Sequence, residues 1–274
     1  MSRRSTGLVS PAMEALRSVD DWPAAHAAVA VVGPSGVLAS WGEADRRFRW
    51  ASVTKLLTTA AALVALDDDA GPPGSTLRHL LAHASGLPLN QGAPIAPPGR
   101  RRIYSNSGLE AAAATVAAGA EMPFAEYLRA AVTGPLELSS HLQGSAAWAY
   151  RGTLDDLCRL ATELLVPSLV AAETLAEATA VQFPGLTGVL PGFGRMERND
   201  WGLGFELRDG KSPHWTGERN SPRTFGHFGA AGTFLWVDPD AGVALACLTD
   251  LEFGDWAKEA WPRLSDSVLQ ELQQ

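Results

Sequence analysis

The chain has 274 residues, and its 46% hydrophobic and 19% charged content is typical of a globular protein with a sizeable core. The formal net charge of −8 argues against nucleic acid as the main partner, because binding to phosphates needs a basic face. The one basic cluster, at residues 100–102, is too short to reverse that balance. Cys158 and Cys247 lie among apolar residues and offer neither a disulfide framework nor a metal-ligand spacing, so we expect two buried small side chains.

Signals for a membrane span, an export signal or a cofactor are missing from the sequence. No segment reaches the roughly 18 apolar residues of a membrane-spanning helix. The basic start is followed by residues 8–21, where Pro11, Glu14 and Arg17 interrupt any apolar signal core. Neither of the glycine-rich nucleotide-binding patterns, GxGxxG and GxxxxGK, occurs. We therefore expect a cytoplasmic protein without a cofactor.

The N-terminal part of the chain carries one helix signal and then strand signals. Residues 8–20 form a candidate short amphipathic helix. Two apolar runs rich in valine and alanine, 27–32 and 37–41, flank a four-residue Gly/Pro turn, and this pattern predicts a β-hairpin. A third strand is expected over residues 47–50, which lead the chain to Ser52.

A serine and a lysine stand at the start of the next predicted element. Residues 55–66 are rich in Ala and Leu and contain no Gly or Pro, so they predict a helix that begins near Ser52. Ser52 and Lys55 share one helical face, which brings the hydroxyl and the amine within hydrogen-bond reach. The only other lysines are Lys211 and Lys258, and a buried lysine, unlike arginine, can lose its proton. The pair predicts an acyl-transfer nucleophile, although taken alone it fits a solvent-reaching lysine equally well.

Two features after this helix suggest metal ions but lack the required spacing. Three aspartates at residues 67–69 do not have the pattern of a calcium-binding loop and predict a solvated turn. Thr76 caps a short predicted helix in which His79 and His83 are four residues apart. No glutamate follows the first histidine, as it does in the zinc motif HExxH. We therefore expect structural histidines and no metal site.

The middle of the chain is predicted to be mostly helical. Residues 84–103 are loop-like because they contain many Gly and Pro residues. Helices are expected over residues 109–118, 124–132 and 153–182. The Gly-rich residues 184–196 predict a long irregular loop, which is a candidate lid.

The C-terminal part returns to strand signals. Strands are expected over residues 202–207, 233–237 and 243–249, followed by a helix over residues 256–272. Because strands lie at both ends of the chain and helices lie between them, the pattern predicts an α/β fold. We expect a discontinuous sheet domain of residues 1–66 and 201–274, and a mostly helical domain of residues 67–200.

Three short motifs carry the functional prediction. Each occurs once in the chain: Ser52-x-x-Lys55, Tyr104-x-Asn106 and His227-x-Gly229. In this order they resemble the SxxK, YxN and HxG pattern of the serine β-lactamase and penicillin-binding protein superfamily, most closely its class C-like carboxylesterase and D-aminopeptidase branch. Residues 76–88 and 98–106 are also similar to the segments that lead to the second motif of that family.

The resemblance implies a β-lactamase/transpeptidase-like fold, in which an antiparallel sheet is flanked by helices and carries a mostly helical insertion. It also implies three catalytic residues. Ser52 would be the acylated nucleophile, and Lys55 would lower the cost of removing its proton. Tyr104, if held near Lys55, would act as a phenolate-like base or as a proton shuttle.

The same resemblance implies a set of substrate-binding groups. Asn106 would orient the carbonyl or amide of the substrate, and the backbone N–H groups of Ser52 and Ala230 would form the oxyanion hole. Gly229 would let the strand backbone approach the substrate. His227 replaces a family lysine, and since it is mostly neutral near pH 7 it is a weaker anchor for a substrate carboxylate.

These residues predict a serine hydrolase that cleaves small esters through an acyl-enzyme on Ser52, with amides or D-amino-acid peptides as further candidates. Two alternatives stay open, namely a catalytically weak or silent binding protein and a true β-lactamase. The expected partner is a small ester or amide molecule, and the sequence carries no information on oligomeric state. We expect the pocket walls to include Trp50 and residues around 184–202.

Overall fold

The computed structural model describes residues 13–65 and 74–274. Within them the strands are β1 (Ala27–Gly33), β2 (Gly36–Gly42), β3 (Phe48–Arg49), β4 (Arg151–Gly152), β5 (Gly188–Leu190), β6 (Gly194–Met196), β7 (Glu206–Leu207), β8 (Phe225–Gly229), β9 (Thr233–Asp238) and β10 (Val243–Thr249). Six of them form an antiparallel sheet in the order β2-β1-β10-β9-β8-β7. The short strands form the separate pairs β3-β4 and β5-β6.

Helices cover both faces of this sheet. Along the sequence, most of them lie between the strands that form it. The α-helices are α1 (Thr54–Val64), α2 (Leu77–Leu81), α3 (Asn106–Gly119), α4 (Phe124–Leu128), α5 (Leu154–Leu165), α6 (Ala172–Ala178) and α7 (Asp255–Glu271). Two 3₁₀ helices cover Glu14–Asp21 and Ala51–Val53, and a π-helical turn covers Arg129–Thr133.

Each face of the six-stranded sheet packs against its own cluster of buried side chains. Successive residues of a strand point to opposite faces. On β1, Val29 therefore belongs to the cluster that includes Trp261 of α7, whereas Ala30 belongs to the cluster that includes Leu157 of α5. Because β10 is covered on both faces, all seven of its residues are buried and its sequence is almost continuously apolar.

Helix α1 lies inside the protein, since every residue from Thr54 to Leu63 is buried. A helix that is apolar on all sides is typical of such a central position. Two of its three threonines bond to the segment that precedes β4. Thr58 Oγ1 donates to the Ala146 carbonyl at 2.6 Å, and the Tyr150 N–H donates to Thr54 Oγ1 at 3.1 Å. These bonds hold that segment against the first turns of α1.

Most of the predicted elements are confirmed. The β1-β2 hairpin, helix α1, strands β9 and β10 and helix α7 lie where the sequence patterns place them. Thr76 forms a capping box with His79 at the start of α2, and Thr153 caps α5. Cys158 and Cys247 are free and buried, as expected of small apolar side chains.

Three predicted segments differ from the structure. The strand expected over residues 47–50 is only β3, which does not join the main sheet and pairs with β4. The strand expected over residues 202–207 is only β7, at the edge of the sheet. Residues 184–196 are not wholly irregular, because they contain the β5-β6 hairpin. Strands of two or three residues are too short to show a hydrophobic period in the sequence. Whether they form depends on the partner strand with which they pair.

The helix predicted over residues 153–182 is also wrong, since it is two helices, α5 and α6. Pro167 follows the end of α5, and a proline disfavours helical backbone at the residue before it. At the N-terminus the described part of the predicted helix is a 3₁₀ helix, and residues 8–12 lie outside the described residues. The predicted turn at residues 67–69 lies outside them as well.

The six-stranded sheet takes its strands from both ends of the chain, residues 27–42 and 206–249, and helices α2 to α6 lie between these two parts. The division into a sheet domain (1–66 and 201–274) and a helical domain (67–200) stays a prediction. In the part of the chain that the structure describes, no helix is both long and apolar enough to cross a membrane.

Candidate active site

Ser52 lies in a strained 3₁₀ turn at the head of α1. Ala51 has a positive φ of 45°, which costs energy for a residue with a Cβ atom and is a kind of strain that active sites often contain. The turn is fixed from the sheet, because Thr233 Oγ1 donates to the Trp50 carbonyl at 2.9 Å. A Cβ atom at Gly229 would come within 2.5 Å of that same carbonyl oxygen. Glycine at this position therefore lets β8 pack directly against the turn that carries Ser52.

The Lys55 side chain is fully buried and bonds to three neutral groups. Its Nζ lies 3.1 Å from Ser52 Oγ, 2.8 Å from Asn106 Oδ1 and 2.9 Å from the Ala147 carbonyl. Burial lowers the pKa of Lys55 to about 7, and the more distant Glu110 opposes this shift. A neutral amine has two N–H groups and one lone pair. With the N–H groups donated to Asn106 and Ala147, the lone pair is left for the Ser52 hydroxyl proton.

Tyr104 and Ser52 line one cavity together, and the ring centroid of Tyr104 lies 5.0 Å from Lys55 Nζ. Burial raises the pKa of Tyr104 well above its ordinary value, and the Ser52 side chain offsets only part of that effect. The group is therefore a neutral phenol near pH 7. Of the two roles expected from the sequence, this environment favours the proton shuttle over the phenolate-like base.

His227 of β8 is a buried, neutral side chain beside Tyr104, with ring centroids 5.8 Å apart. Its Nδ1 lies 2.7 Å from the Phe228 carbonyl. Since a carbonyl oxygen only accepts, Nδ1 carries the proton and Nε2 keeps a lone pair. Among the described residues this Nε2 has no hydrogen-bond partner. Burial, and then the charge of Lys55, lowers the pKa of His227 to about 3, so this position supplies no cation near neutral pH.

Two aromatic residues that the sequence did not mark as catalytic or substrate-binding residues hold Tyr104 in place. His83 accepts a hydrogen bond from the Ser105 N–H at 3.1 Å, and its ring lies 4.8 Å from Tyr104. The ring centroids of Trp201 and Tyr104 are 5.8 Å apart, and Trp201 packs edge-on against His83. The expected structural role of His83 is thus observed. Among the described residues, no group of three His, Cys, Asp or Glu side chains is placed to hold a metal ion.

Arg102, which the sequence placed in a basic cluster, is buried instead. It donates to the carbonyls of Ala82, Gln182, Phe183 and Asn199. Burial lowers its pKa to about 10, and Asp200 opposes this shift. Its bonds tie together three chain segments behind Tyr104, an arrangement for which the sequence offers no local signal.

Two cavities meet at Ser52. The wide cavity, of about 450 Å³, is lined by residues that include Arg49, Ser52, Asn106, Arg151, Ala230 and Glu252. The narrow cavity, of about 150 Å³, is lined by residues that include Ser52, Tyr104, Leu190, Trp201, His227 and Phe228. The predicted wall at 184–202 is thus present in the narrow cavity. Trp50 lines neither cavity, because it is fully buried and packs against Tyr150.

The structure therefore brings Ser52, Lys55, Tyr104 and Asn106 together at the junction of the two cavities, with Lys55 bonded to Ser52 and Asn106. Gly229 ends β8, and Ala230 follows it and borders both cavities with Ser52. Ala147 and Glu110 complete the surroundings of Lys55 and could not be found from the sequence, since they approach from a distant part of the chain.

Comparison with known proteins gives a family for this arrangement. A family model named Beta-lactamase matches residues 22–270, and no curated protein matches the chain. The crystal structure of a beta-lactamase from Mycobacterium bovis is 52% identical, with a TM-score of 0.93, and the match covers 95% of this chain and 100% of that one.

Two more distant structures share the fold. Unliganded simvastatin synthase from Aspergillus terreus is 17% identical, with a TM-score of 0.74 and coverage of 95% of this chain and 98% of that one. EstCE1, a hydrolase with promiscuous acyltransferase activity, is 17% identical, with a TM-score of 0.74 and coverage of 92% and 96%. Since the family model spans almost the whole described fold and the M. bovis structure agrees with it, this chain belongs to the beta-lactamase family and has its serine hydrolase fold.

Proposed function

We propose that the protein is a serine hydrolase that cleaves small esters through an acyl-enzyme on Ser52. The observation that carries the proposal is the Lys55 amine, which lies 3.1 Å from Ser52 Oγ and, among the described residues, has no carboxylate as a hydrogen-bond partner. Because burial lowers its pKa to about 7, a large fraction of Lys55 is a free base at neutral pH. That is the condition for activating a serine hydroxyl.

The proposed reaction proceeds in two halves. Lys55 takes the Ser52 proton as Oγ attacks the ester carbonyl carbon, and the N–H groups of Ser52 and Ala230 stabilise the oxyanion. When the ester C–O bond breaks, Tyr104 donates its proton to the departing alkoxide and recovers one from the Lys55 ammonium. A water molecule then attacks the acyl group and gives up a proton to the same residues, which pass it to Ser52 Oγ as the bond between Oγ and the acyl carbon breaks.

Esters are preferred over D-amino-acid peptides because of the narrow cavity. Its lining is mostly apolar, and the neutral His227 supplies no positive charge for the carboxylate of a departing amino acid. An apolar cavity of ~150 Å³ holds a molecule about the size of benzene. A small alcohol or phenol is therefore the leaving group that fits it.

One observation favours a second candidate, a true β-lactamase, since a protein described as a beta-lactamase is 52% identical to this chain. Hydrolysis of a chromogenic cephalosporin tests this candidate directly. A turnover that is lost in Ser52→Ala would support it. No hydrolysis at high enzyme concentration would exclude it.

The test of the main proposal combines colour release from 4-nitrophenyl butyrate with the intact mass of the protein. We expect steady turnover and a butyryl adduct, both lost in Ser52→Ala and both retained in Ser40→Ala, which changes an exposed serine of β2. Activity that persists in Ser52→Ala would overturn the proposal. A stoichiometric adduct on Ser52 without turnover would instead support the catalytically silent binding protein.

A further inference from the structure

Two arginines stand directly opposite each other beside the nucleophile. Arg49 of β3 and Arg151 of β4 form a cross-strand pair in the antiparallel register of these strands. Side chains of such a pair point to the same face, with Cβ atoms about 4.5–5.5 Å apart, and like charges in this position repel. Both arginines line the wide cavity together with Ser52. The pair thus concentrates positive charge at the catalytic cavity of a chain whose net charge is −8.

The acidic groups of the described residues offset only half of this charge. Arg49 Nη2 lies 3.0 Å from Glu252 Oε1, and Glu252 also lines the wide cavity. In the part of the chain that the structure describes, Arg151 has no ion-pair partner, although its neighbours in sequence include Asp155 and Asp156. Asp155 binds Arg159, and Asp156 binds the N–H and hydroxyl of Ser139. The wide cavity therefore has one uncompensated guanidinium.

The position of Tyr104 decides which part of an ester lies beside this charge. The group that protonates the leaving alkoxide must be next to it, and Tyr104 lines the narrow cavity but not the wide one. The leaving alcohol thus occupies the narrow cavity. The acyl part, which stays attached to Ser52, extends into the wide cavity towards Arg49 and Arg151.

We propose that the natural acyl group carries a second carboxylate, which the Arg49–Arg151 pair binds, so that the substrate is a monoester of a dicarboxylic acid. This inference rests on the proposed ester hydrolysis at Ser52. A guanidinium binds a carboxylate through two parallel N–H···O bonds, which makes arginine suited to this task. The distal carboxylate takes no part in bond making. The ester C–O bond breaks, the Ser52 Oγ–C bond forms, the alkoxide gains a proton, and water later releases the free diacid.

The test compares charged and neutral esters of the same carbon number. The 4-nitrophenyl monoesters of butanedioic, pentanedioic and hexanedioic acid are each paired with the 4-nitrophenyl ester of the unbranched monocarboxylic acid of equal length, after subtraction of spontaneous hydrolysis. We expect kcat/KM for at least one monoester to exceed that of its neutral match about tenfold at low salt. The preference should shrink as the NaCl concentration rises, because both arginines are exposed.

Variants of the arginine pair test whether these two residues cause the preference for charged over neutral esters. In Arg151→Gln the ratio of charged to neutral kcat/KM should fall to about one, and in Arg151→Lys part of it should remain. Arg223→Gln is the matched control, since it removes an exposed arginine that pairs with Asp240 and lines neither cavity. It should keep the wild-type ratio. Thermal unfolding of each variant checks that the fold is retained.

The outcomes separate this inference from the proposed function. Ser52-dependent hydrolysis of neutral esters with no preference for any monoester overturns the inference alone. A preference that survives Arg151→Gln also overturns it, because the charge would then be recognised elsewhere. Absence of hydrolysis for every ester, charged or neutral, overturns the proposed function and this inference with it.

Discussion

The protein buries two lysines in contrasting surroundings. Lys55 is 0% exposed and Lys211 is 5% exposed, and each has three hydrogen-bond partners. The partners of Lys55 are a hydroxyl, an amide oxygen and a carbonyl. Lys211 instead bonds to Glu206 Oε1 at 2.6 Å, to the Asp200 carbonyl at 2.6 Å and to the Leu207 carbonyl.

Glu206 is the centre of a saturated ionic network. Its second oxygen accepts hydrogen bonds from His214 Nε2 and Trp215 Nε1, both at 2.8 Å. Burial raises the pKa of Glu206, but His214 and Lys211 together outweigh burial and hold the pKa at about 2. The network links β7 to the loop that follows it.

The difference between the two lysines shows that burial alone does not decide the role of a charged side chain. A carboxylate partner converts buried Lys211 into part of a structural ion pair. Without such a hydrogen-bonded partner among the described residues, Lys55 is only partly compensated for desolvation by the more distant Glu110, and its pKa falls to about 7. The following variants test this contrast.

The largest effect is expected for Lys55→Arg. The substitution keeps a positive charge but removes the ability to accept a proton, because arginine stays protonated in proteins. We expect kcat/KM for 4-nitrophenyl butyrate to fall by ~10²–10⁴, the usual contribution of a general base. Lys258→Arg is the matched control, since Lys258 forms an exposed pair with Asp255. Activity within tenfold of the wild type would contradict the assignment of Lys55 as the base.

Lys211→Met should instead lower the free energy of unfolding. Removing one partner of a buried ion pair leaves the other charge uncompensated, at a cost of about 3–5 kcal/mol in the free energy of unfolding. Chemical denaturation near pH 7 measures this loss. Adding Glu206→Gln to the variant should recover part of it, because no unpaired carboxylate remains. A loss as small as that of the exposed control Lys258→Met, about 0–1 kcal/mol, would show that the pair is not important for stability.

Asn106→Asp places a carboxylate next to Lys55 and so imitates the surroundings of Lys211. In the wild type, kcat/KM should rise with pH through about 7, because the pKa of Lys55 is about 7 and only the neutral amine acts as a base. A carboxylate at the position of Asn106 Oδ1, which is 2.8 Å from Nζ, stabilises the ammonium and raises that pKa. The acidic limb of the pH profile, which is the rise of kcat/KM with pH, should therefore shift to higher pH by at least about one unit.

A control for this variant separates charge from the loss of a hydrogen bond. Asn106→Leu removes the Oδ1 acceptor without adding a charge, so the pKa of Lys55 should not rise. An acidic limb that moves upward equally in both variants would contradict the electrostatic explanation.

Glu110→Gln should give the smallest change, in the opposite direction. Among the described residues, Glu110 is the one charge that raises the pKa of Lys55 against burial. Its neutralisation should therefore move the acidic limb below pH 7, by a fraction of one pH unit at this distance. Glutamine keeps an oxygen acceptor for the Ala147 N–H, which now donates to Glu110 Oε1 at 3.3 Å. Glu126→Gln, an exposed change on α4, should leave the profile unchanged.

The main secondary structure of this protein was predictable because its signals are local. The Ala/Leu-rich run predicts α1, and the three-residue spacing of Ser52 and Lys55 predicts their contact, which is observed at 3.1 Å. The hairpin β1-β2 has apolar runs around a Gly/Pro turn. In contrast, the pairing of β3 with β4 joins residues about a hundred positions apart, and two-residue strands have no detectable period.

The sequence by itself determined the order of the three motifs, the family they indicate and the helix that places Ser52 one turn from Lys55. These depend on residue type and near spacing along one element. Only the tertiary structure decided that Lys55 is enclosed with no described carboxylate bonded to it, that Tyr104 is a protonated phenol and that Arg49 stands opposite Arg151 at the wide cavity. Burial and charge pairing set these properties, and both depend on segments that meet only when the chain folds.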